Sequence, residues 1–187
     1  MITLTDESSD DHLVSSALKG DDGAFAQLVT RYKRRVFRLA ARFAHDNDEL
    51  EDLCQEAFIK AYENLSSFRR DAPFEHWLMR ITVHVCQDAL RSRRRNGNHS
   101  TFDGQQFEVR DLSADARHEA QQARDLLAWA LARLKPDERL VITLLELEEY
   151  SVREIAVMTG WSEANVKVRA HRARQALKKI LEQHDER

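Results

Sequence analysis

Glycine and proline are scarce in this chain, 5 and 2 residues among 187. Turn-dense β architectures need both at their reversals, so the shortage argues against a sheet-based fold. Cysteine is limited to Cys54 and Cys86, too few for a disulfide framework and without a second ligand at metal spacing, so neither a stapled scaffold nor a zinc site is expected. Both are read as small core residues. No apolar run nears the roughly 20 residues of a membrane span, and the opening "MITLTDESSDDHLVSS" has no basic segment leading into an apolar one. No membrane insertion and a reducing cytoplasm are expected. Positive charge is not in excess: 29 Lys and Arg stand against 32 Asp and Glu, a formal net charge of −3. A uniformly basic coat is thereby excluded, and any polyanion must be met locally. Also missing are an acid–base pair, a nucleophile triad, a metal cluster and a Gly-rich phosphate loop. No catalytic activity, metal or cofactor is expected.

What is present is helical periodicity. Phe25, Leu28, Val29, Tyr32, Val36, Leu39, Ala40 and Phe43 fall at unbroken spacings of three and four, which is one amphipathic helix. A second starts near Asp48 and puts Leu50, Leu53, Cys54, Ala57, Phe58, Ala61, Tyr62 and Leu65 on one face, with Glu51, Asp52, Gln55, Glu56 and Glu63 opposite. The stretch "SSFRRDAP" interrupts, and Trp77, Leu78, Ile81, Val85 and Ala89 restore the period. From Asn96 the period is lost. It resumes with Ala123, Leu126, Leu127, Ala130, Leu131 and Leu134, stops at Lys135-Pro136, and restarts through Leu140, Val141, Leu144, Leu145 and Leu147. The expected architecture is all-α: an acidic N-terminal tail (1–20), a helical domain (21–95), a flexible linker (96–120) and a second small helical domain (121–187).

Charge is blocked along this map. Arg31, Lys33, Arg34, Arg35, Arg38 and Arg42 are basic, residues 46–56 are acidic, and Arg91, Arg93, Arg94 and Arg95 close the first domain. The densest block lies in "GWSEANVKVRAHRARQALKK", where Lys167, Arg169, Arg172, Arg174, Lys178 and Lys179 oppose only Glu163. Upstream, Ser151 and Glu154 are in capping-box register, Gly160 suits a left-handed turn, and Ser162 is a second N-cap. Val166, Ala170, Ala173 and Leu177 then mark a buried stripe. This is a helix-turn-helix pattern. Burying that stripe turns Lys167, His171, Arg174 and Lys178 outward. The second helix of such a motif enters the major groove with its N-terminal part at base edges. Asn165, Lys167, Val168, His171 and Arg172 are therefore candidate base readers, with Arg169 beside them and Arg153 on the supporting helix as a phosphate contact. About five neutralised phosphates imply a log–log salt slope near −4 to −5.

A helix-turn-helix alone fits a two-domain DNA-binding regulator, which would bind a duplex site without polymerase, and an enzyme on a helical bundle is the remote third class. The first half decides between them by resemblance. "DELEDLCQEAFIKAYENLSSF" followed by "FEHWLMRITVHVCQDALRSRRR" closely resembles region two of bacterial sigma factors, and "LKPDERLVITLLELEEYSVREIAVMTGWSEANVKVRAHRARQAL" resembles their region four. Both occur in order, without recognisable regions one or three, as in the extracytoplasmic-function (ECF) group. Roughly 150 residues are covered.

The resemblance implies a polymerase-docking role for Asp52, Gln55 and Glu56, on the polar side of "DLCQEAF", against the clamp of the largest catalytic subunit of core RNA polymerase. It implies that "FRRDAP" and the helix after it read the minus-ten element of promoter DNA and capture a flipped base. There Arg69, Arg70, Arg80 and Arg91 would supply a cationic rim, His84 and Gln87 would read base edges, and Asp71 and Ala72 would line the pocket. Trp77 reads as core, from its helical spacing with Ile81. Many relatives carry Asn where His84 stands. Region four reads the minus-thirty-five element, and "SEANVKVR" departs from the family in lacking Gly-Thr and the Ser after Lys/Arg. Val168 would meet a thymine methyl where Ser would hydrogen-bond. Membership further implies an anti-sigma partner, and a linker path toward the RNA channel in which Asp103, Glu108, Asp111 and Asp115 mimic nucleic acid.

Overall fold

A computed structural model describes residues 9–95 and 114–185, with side chains at 9–95 and 121–184. Asp103, Glu108 and Asp111 lie outside the described residues, as does the side chain of Asp115. Among the described residues there are eight α-helices and no strand. They are α1 (Asp10–Ala17), α2 (Asp22–Ala41), α3 (Asn47–Glu63), α4 (Phe74–Arg95), α5 (Ala114–Ala132), α6 (Pro136–Ile142), α7 (Val152–Thr159) and α8 (Glu163–Asp185).

Helix starts follow local side-chain chemistry. Asp21, Asp46 and Ser151 accept from the backbone N–H of Ala24 (3.2 Å), Glu49 (2.7 Å) and Glu154 (3.2 Å), satisfying donors that a helix start leaves open. The structure differs from the sequence reading at three places. Residues 10–17, within the expected acidic tail, form α1, which is capped by Ser9 and buries Leu13, Val14 and Ala17. Three apolar residues in eight are too few for periodicity to register; tertiary packing against α2 supplies the rest. Helix α5 begins at Ala114, inside the stretch read as linker. The apolar run 140–147 is not one α-helix: α6 passes into a π turn over Thr143–Leu147, with Glu148 N–H bonding Thr143 O at 3.1 Å and Tyr150 N–H bonding Leu144 O at 2.9 Å. The wider turn keeps both Thr143 and Leu144 fully buried.

Helix α4 is central. Leu78, Met79, Val83, Val85 and Cys86 are at most 1% exposed, and such Val, Leu and Met side chains contribute about 1.5–3 kcal/mol each on full burial. α4 packs on α2 and α3, and on α6 and α7 of the second half. One continuous core therefore joins the two halves, with Leu140, Val141, Leu144, Ile155 and Met158 in the same cluster as the interior of the first. A smaller cluster of Leu131, Leu134, Ile142 and Ala173 holds α5, α6 and α8 together.

Arg139 crosses the junction. It is 6% exposed, donates from Nη2 to the carbonyl of Arg42 at 2.8 Å and lies over the Phe43 ring, 6.0 Å from its centroid. Burial, reinforced by the Arg93 charge, pushes its pKa down to about 10, so it stays protonated at neutral pH. Cys86 is buried and Cys54 half-buried, both as free thiols. Burial lifts the Cys54 pKa to about 11 and that of Cys86 further; both are structural rather than reactive.

Gly160 ends α7 at φ 73°, and a Cβ added there would meet nothing within 4 Å. Only backbone conformation opposes a side chain at this position. Gly160→Ala should lower stability by about 1–2 kcal/mol, read as a lower urea midpoint with an unchanged m-value.

Candidate nucleic-acid interface

The second half forms the expected helix-turn-helix. Ser151 and Glu154 close a reciprocal cap, with Ser151 N–H donating to Glu154 Oε2 at 2.8 Å. The bonds from Ser151 hold the Glu154 carboxyl below its ordinary range. Gly160 turns the chain, and Ser162 Oγ accepts from Asn165 N–H at 3.2 Å to start α8. Val166, Ala170 and Ala173 are buried while Leu177 is half-buried. Lys167, His171, Arg172, Arg174 and Lys178 point to solvent, as does Arg153 on α7, and Val168 is 49% exposed.

Arg169 is held differently from its neighbours. Its Nε donates to Asn165 Oδ1 at 2.6 Å, its guanidinium carbon lies 4.3 Å from the Trp161 ring centroid, and Nη1 is 2.9 Å from Asp137 Oδ2. A stacked guanidinium with fixed donors is pre-oriented for an anion. Trp161, in this supporting role, is not among the sequence candidates. Its position one residue after the turn glycine, with Arg169 about two helical turns on, was the available signal.

In the first half, Arg69, Arg70, Asp71 and Ala72 are exposed on the loop before α4. Arg70 adopts φ 62° and donates to Ser15 Oγ on α1 at 2.6 Å. Arg80 is exposed and His84, one turn later, is half-buried. These six residues share one groove of about 1060 Å³ with Trp77, Lys60 and Arg153. Trp77 is part of an aromatic group, its ring centroid 5.5 Å from Phe68 and 5.6 Å from Phe74. It packs on the core and also presents an edge to the groove. Lys60 was not singled out from sequence; it lies four residues after Glu56 and pairs with it at 2.8 Å, so the polar stripe of α3 would have revealed it.

The structure does not keep the other two minus-ten candidates with these six. Gln87 is only 4% exposed, with Nε2 at 3.5 Å from Asp137 Oδ1. Arg91 Nη2 lies 3.3 Å from the same oxygen. Arg91 borders a second cleft of about 1180 Å³ whose wall also includes Asp52, Glu56, Arg169 and Arg172. Asp52, Gln55 and Glu56 are all exposed on α3.

Burial and, secondarily, the Arg80 charge hold His84 below the ordinary imidazole range, outweighing the opposing pull of Asp88. Neutral His84 offers one ring donor and one acceptor, the combination a base edge requires. Since the folded value lies below the unfolded one, stability is lost as pH falls through the ordinary value near about 6.5, and the loss is complete below the folded value. An NMR titration should place His84 below that reference. Arg80→Ala should move it upward; no movement would remove Arg80 as a contributor.

Comparison with known proteins accounts for both halves. Residues 28–96 match the model of Sigma-70 region 2, and residues 124–177 that of Sigma-70, region 4. The chain is 34% identical to the RNA polymerase sigma-H factor of Pseudomonas aeruginosa, over 96% of each chain. It is 34% identical to the ECF RNA polymerase sigma-E factor of Escherichia coli K12, over 93% of this chain and 95% of the other. It is 33% identical to the ECF RNA polymerase sigma factor SigM of Mycobacterium tuberculosis, over 94% and 86%. Among solved structures it is similar to CnrH in complex with the cytosolic domain of CnrY (TM-score 0.61, 28% identity, 92% and 97% covered). It is also similar to the sigma factor RpoE in complex with the anti-sigma factor NepR from Bartonella quintana (TM-score 0.60, 26% identity, 84% and 96% covered). With both regions in order and near-complete coverage at this identity, the chain belongs to the ECF RNA polymerase sigma factors.

Proposed function

We propose that three surfaces divide the work of this initiation factor. The exposed polar stripe of α3, carrying Asp52, Gln55 and Glu56, docks on basic residues of the core polymerase clamp. The groove holding Arg69, Arg70, Asp71, Ala72, Arg80 and His84 takes the minus-ten strand, extended by Gln87 and Arg91 once these are uncovered. The outward face of α8, with Asn165, Lys167, Val168, Arg169, His171 and Arg172, enters the minus-thirty-five major groove, and Arg153 meets a phosphate. The observation that carries this reading is that two solvent-facing cationic surfaces sit on separate helical units of a chain whose net charge is −3.

Magnitudes assign the division of labour with polymerase. Opening about ten base pairs at about 1.4 kcal/mol per stacking step costs roughly 14 kcal/mol. A captured base returns about 1–3 kcal/mol. The sigma factor thus recognises and nucleates, polymerase holds the bubble, and the chain itself performs no catalysis. Its place of action is the cytoplasm, with the polymerase. No helix among the described residues is long and apolar enough to cross a membrane. An anti-sigma partner, of the kind bound by RpoE in its solved complex, holds this chain inactive by covering the polymerase and DNA faces.

Run-off transcription with sigma-free core polymerase and a pool of promoter fragments tests the reading, and a folded, inhibitor-free chain that confers no start-site choice would sink it. In the same assay His84→Asn should change minus-ten selectivity. Arg172→Ala should reduce minus-thirty-five dependence by the roughly 1–3 kcal/mol of a lost base contact. Promoter profiles identical to the parent chain would discredit both assignments.

A further inference from the structure

Among the described residues, only Arg70 and Glu149 adopt a positive φ without being glycine. A left-handed backbone brings the β-carbon against the carbonyl oxygen that follows, and it persists at a non-glycine position only where surrounding contacts fix it. The contacts at Arg70 come from α1. Nη2 donates to Ser15 Oγ at 2.6 Å, and Nε lies 3.7 Å from Asp11 Oδ1. The Ser15 hydroxyl itself donates to the Asp11 carbonyl at 2.6 Å, which leaves its lone pairs for the guanidinium. The ion pair with Asp11 is long and that carboxylate is 73% exposed, so it adds little. Ser15 carries the tie.

The same helix steadies the far end of the loop. Asp10 pairs with Arg31 and accepts from the Tyr32 hydroxyl, and the Tyr32 ring lies 5.7 Å from that of Phe74, the first residue of α4. Phe68 and Phe74 are both buried and meet edge to face at 5.6 Å, closing the loop at its base. Residues 69–73 project from this aromatic base, and α1 reaches them through Arg70. Helix α1 ends before residue 28, where the match to region 2 begins.

We infer that Ser15 on α1 is a positioning residue for minus-ten reading: through Arg70 it fixes the backbone of the 69–72 loop, and with it the place of Asp71 and Ala72 in the base pocket. This rests on the assignment of that groove to the minus-ten strand, and it gives Arg70 a different task within it. An arginine whose guanidinium is tied to α1 cannot reach a phosphate without releasing the loop. Its side chain therefore serves the shape of the loop, while Arg69 and Arg80, exposed in the same groove, form the cationic rim.

Two measurements on the full chain test this. In the free protein, NMR relaxation should give residues 69–72 order parameters near the ~0.85 of rigid backbone, falling toward ~0.6 in Ser15→Ala while those of α4 hold. Alanine is the best helix former, so α1 is retained; Ser15→Thr keeps the hydroxyl and should match the parent. With core polymerase, on promoters that differ only at the minus-ten element, Ser15→Ala should reduce discrimination between preferred and substituted bases about fivefold. Arg70→Ala and the double variant should each reduce it by the same factor, because all three cut one tie. The salt slope of promoter binding should stay at the parent value, since no phosphate contact is lost. A slope shallower by about one phosphate in Arg70→Ala would return that residue to the rim and overturn the inference. So would single-variant losses that add in the double, a loop already mobile in the parent, or unchanged selectivity in Ser15→Ala despite a loosened loop. In that last case the parent still selects promoters and the proposed function stands. A parent chain that confers no start-site choice instead removes that function and this role together, which tells the two failures apart.

Discussion

The burial of α4 on two sides is the constraint from which the other features follow. Its inner face packs on α2 and α3, and a second face is covered by α6 and α7. Little of the helix is left to solvent except the flank bearing Arg80 and His84 and the C-terminal arginines. The groove therefore forms where α4, the 69–72 loop and α7 converge. A helix anchored on two faces has little freedom to shift, so the side chains of Arg80 and His84 are held in place at the groove.

The same burial gives the second half a place to dock. Leu140, Val141 and Met158 complete a core begun by the first half, while Arg139 carries a positive charge through the junction, held by a backbone carbonyl and an aromatic face. Around this apolar contact the charges are complementary: acids on α6 and at the end of the π turn face arginines on α2 and α4. The π turn matters here because it directs Glu148 toward α2 while Leu144 stays inside. The charge blocks read along the sequence become, across this junction, an internal electrostatic match.

Most of the candidate site was legible from residue spacing. The capping pair Ser151 and Glu154, the turn at Gly160 and the stripe Val166, Ala170 and Ala173 each carry a strong local rule, and the outward position of Lys167, His171 and Arg172 follows from them. Helix α1 was not legible because eight residues with three apolar positions become helical only by packing on α2. The π turn was not legible because one extra residue per turn leaves no mark in a pattern of buried leucines. Trp161 and Lys60 left a signal in spacing, but the stacking of Trp161 on Arg169 and the place of Lys60 at the groove rim depend on how the helices meet.

The sequence by itself determined the all-helical class, the order of the two modules, the helix-turn-helix and the segregation of charge, because each depends on intervals of at most a few residues along one chain. Tertiary structure alone decided which of the candidate residues are open. Arg80 and Arg172 face solvent, whereas Gln87 is buried and Arg91 and Arg169 meet across one carboxylate. That outcome depends on residues 87, 91, 137 and 169 coming together over separations of up to about eighty positions, and no local periodicity specifies how two amphipathic surfaces so far apart in the chain will meet.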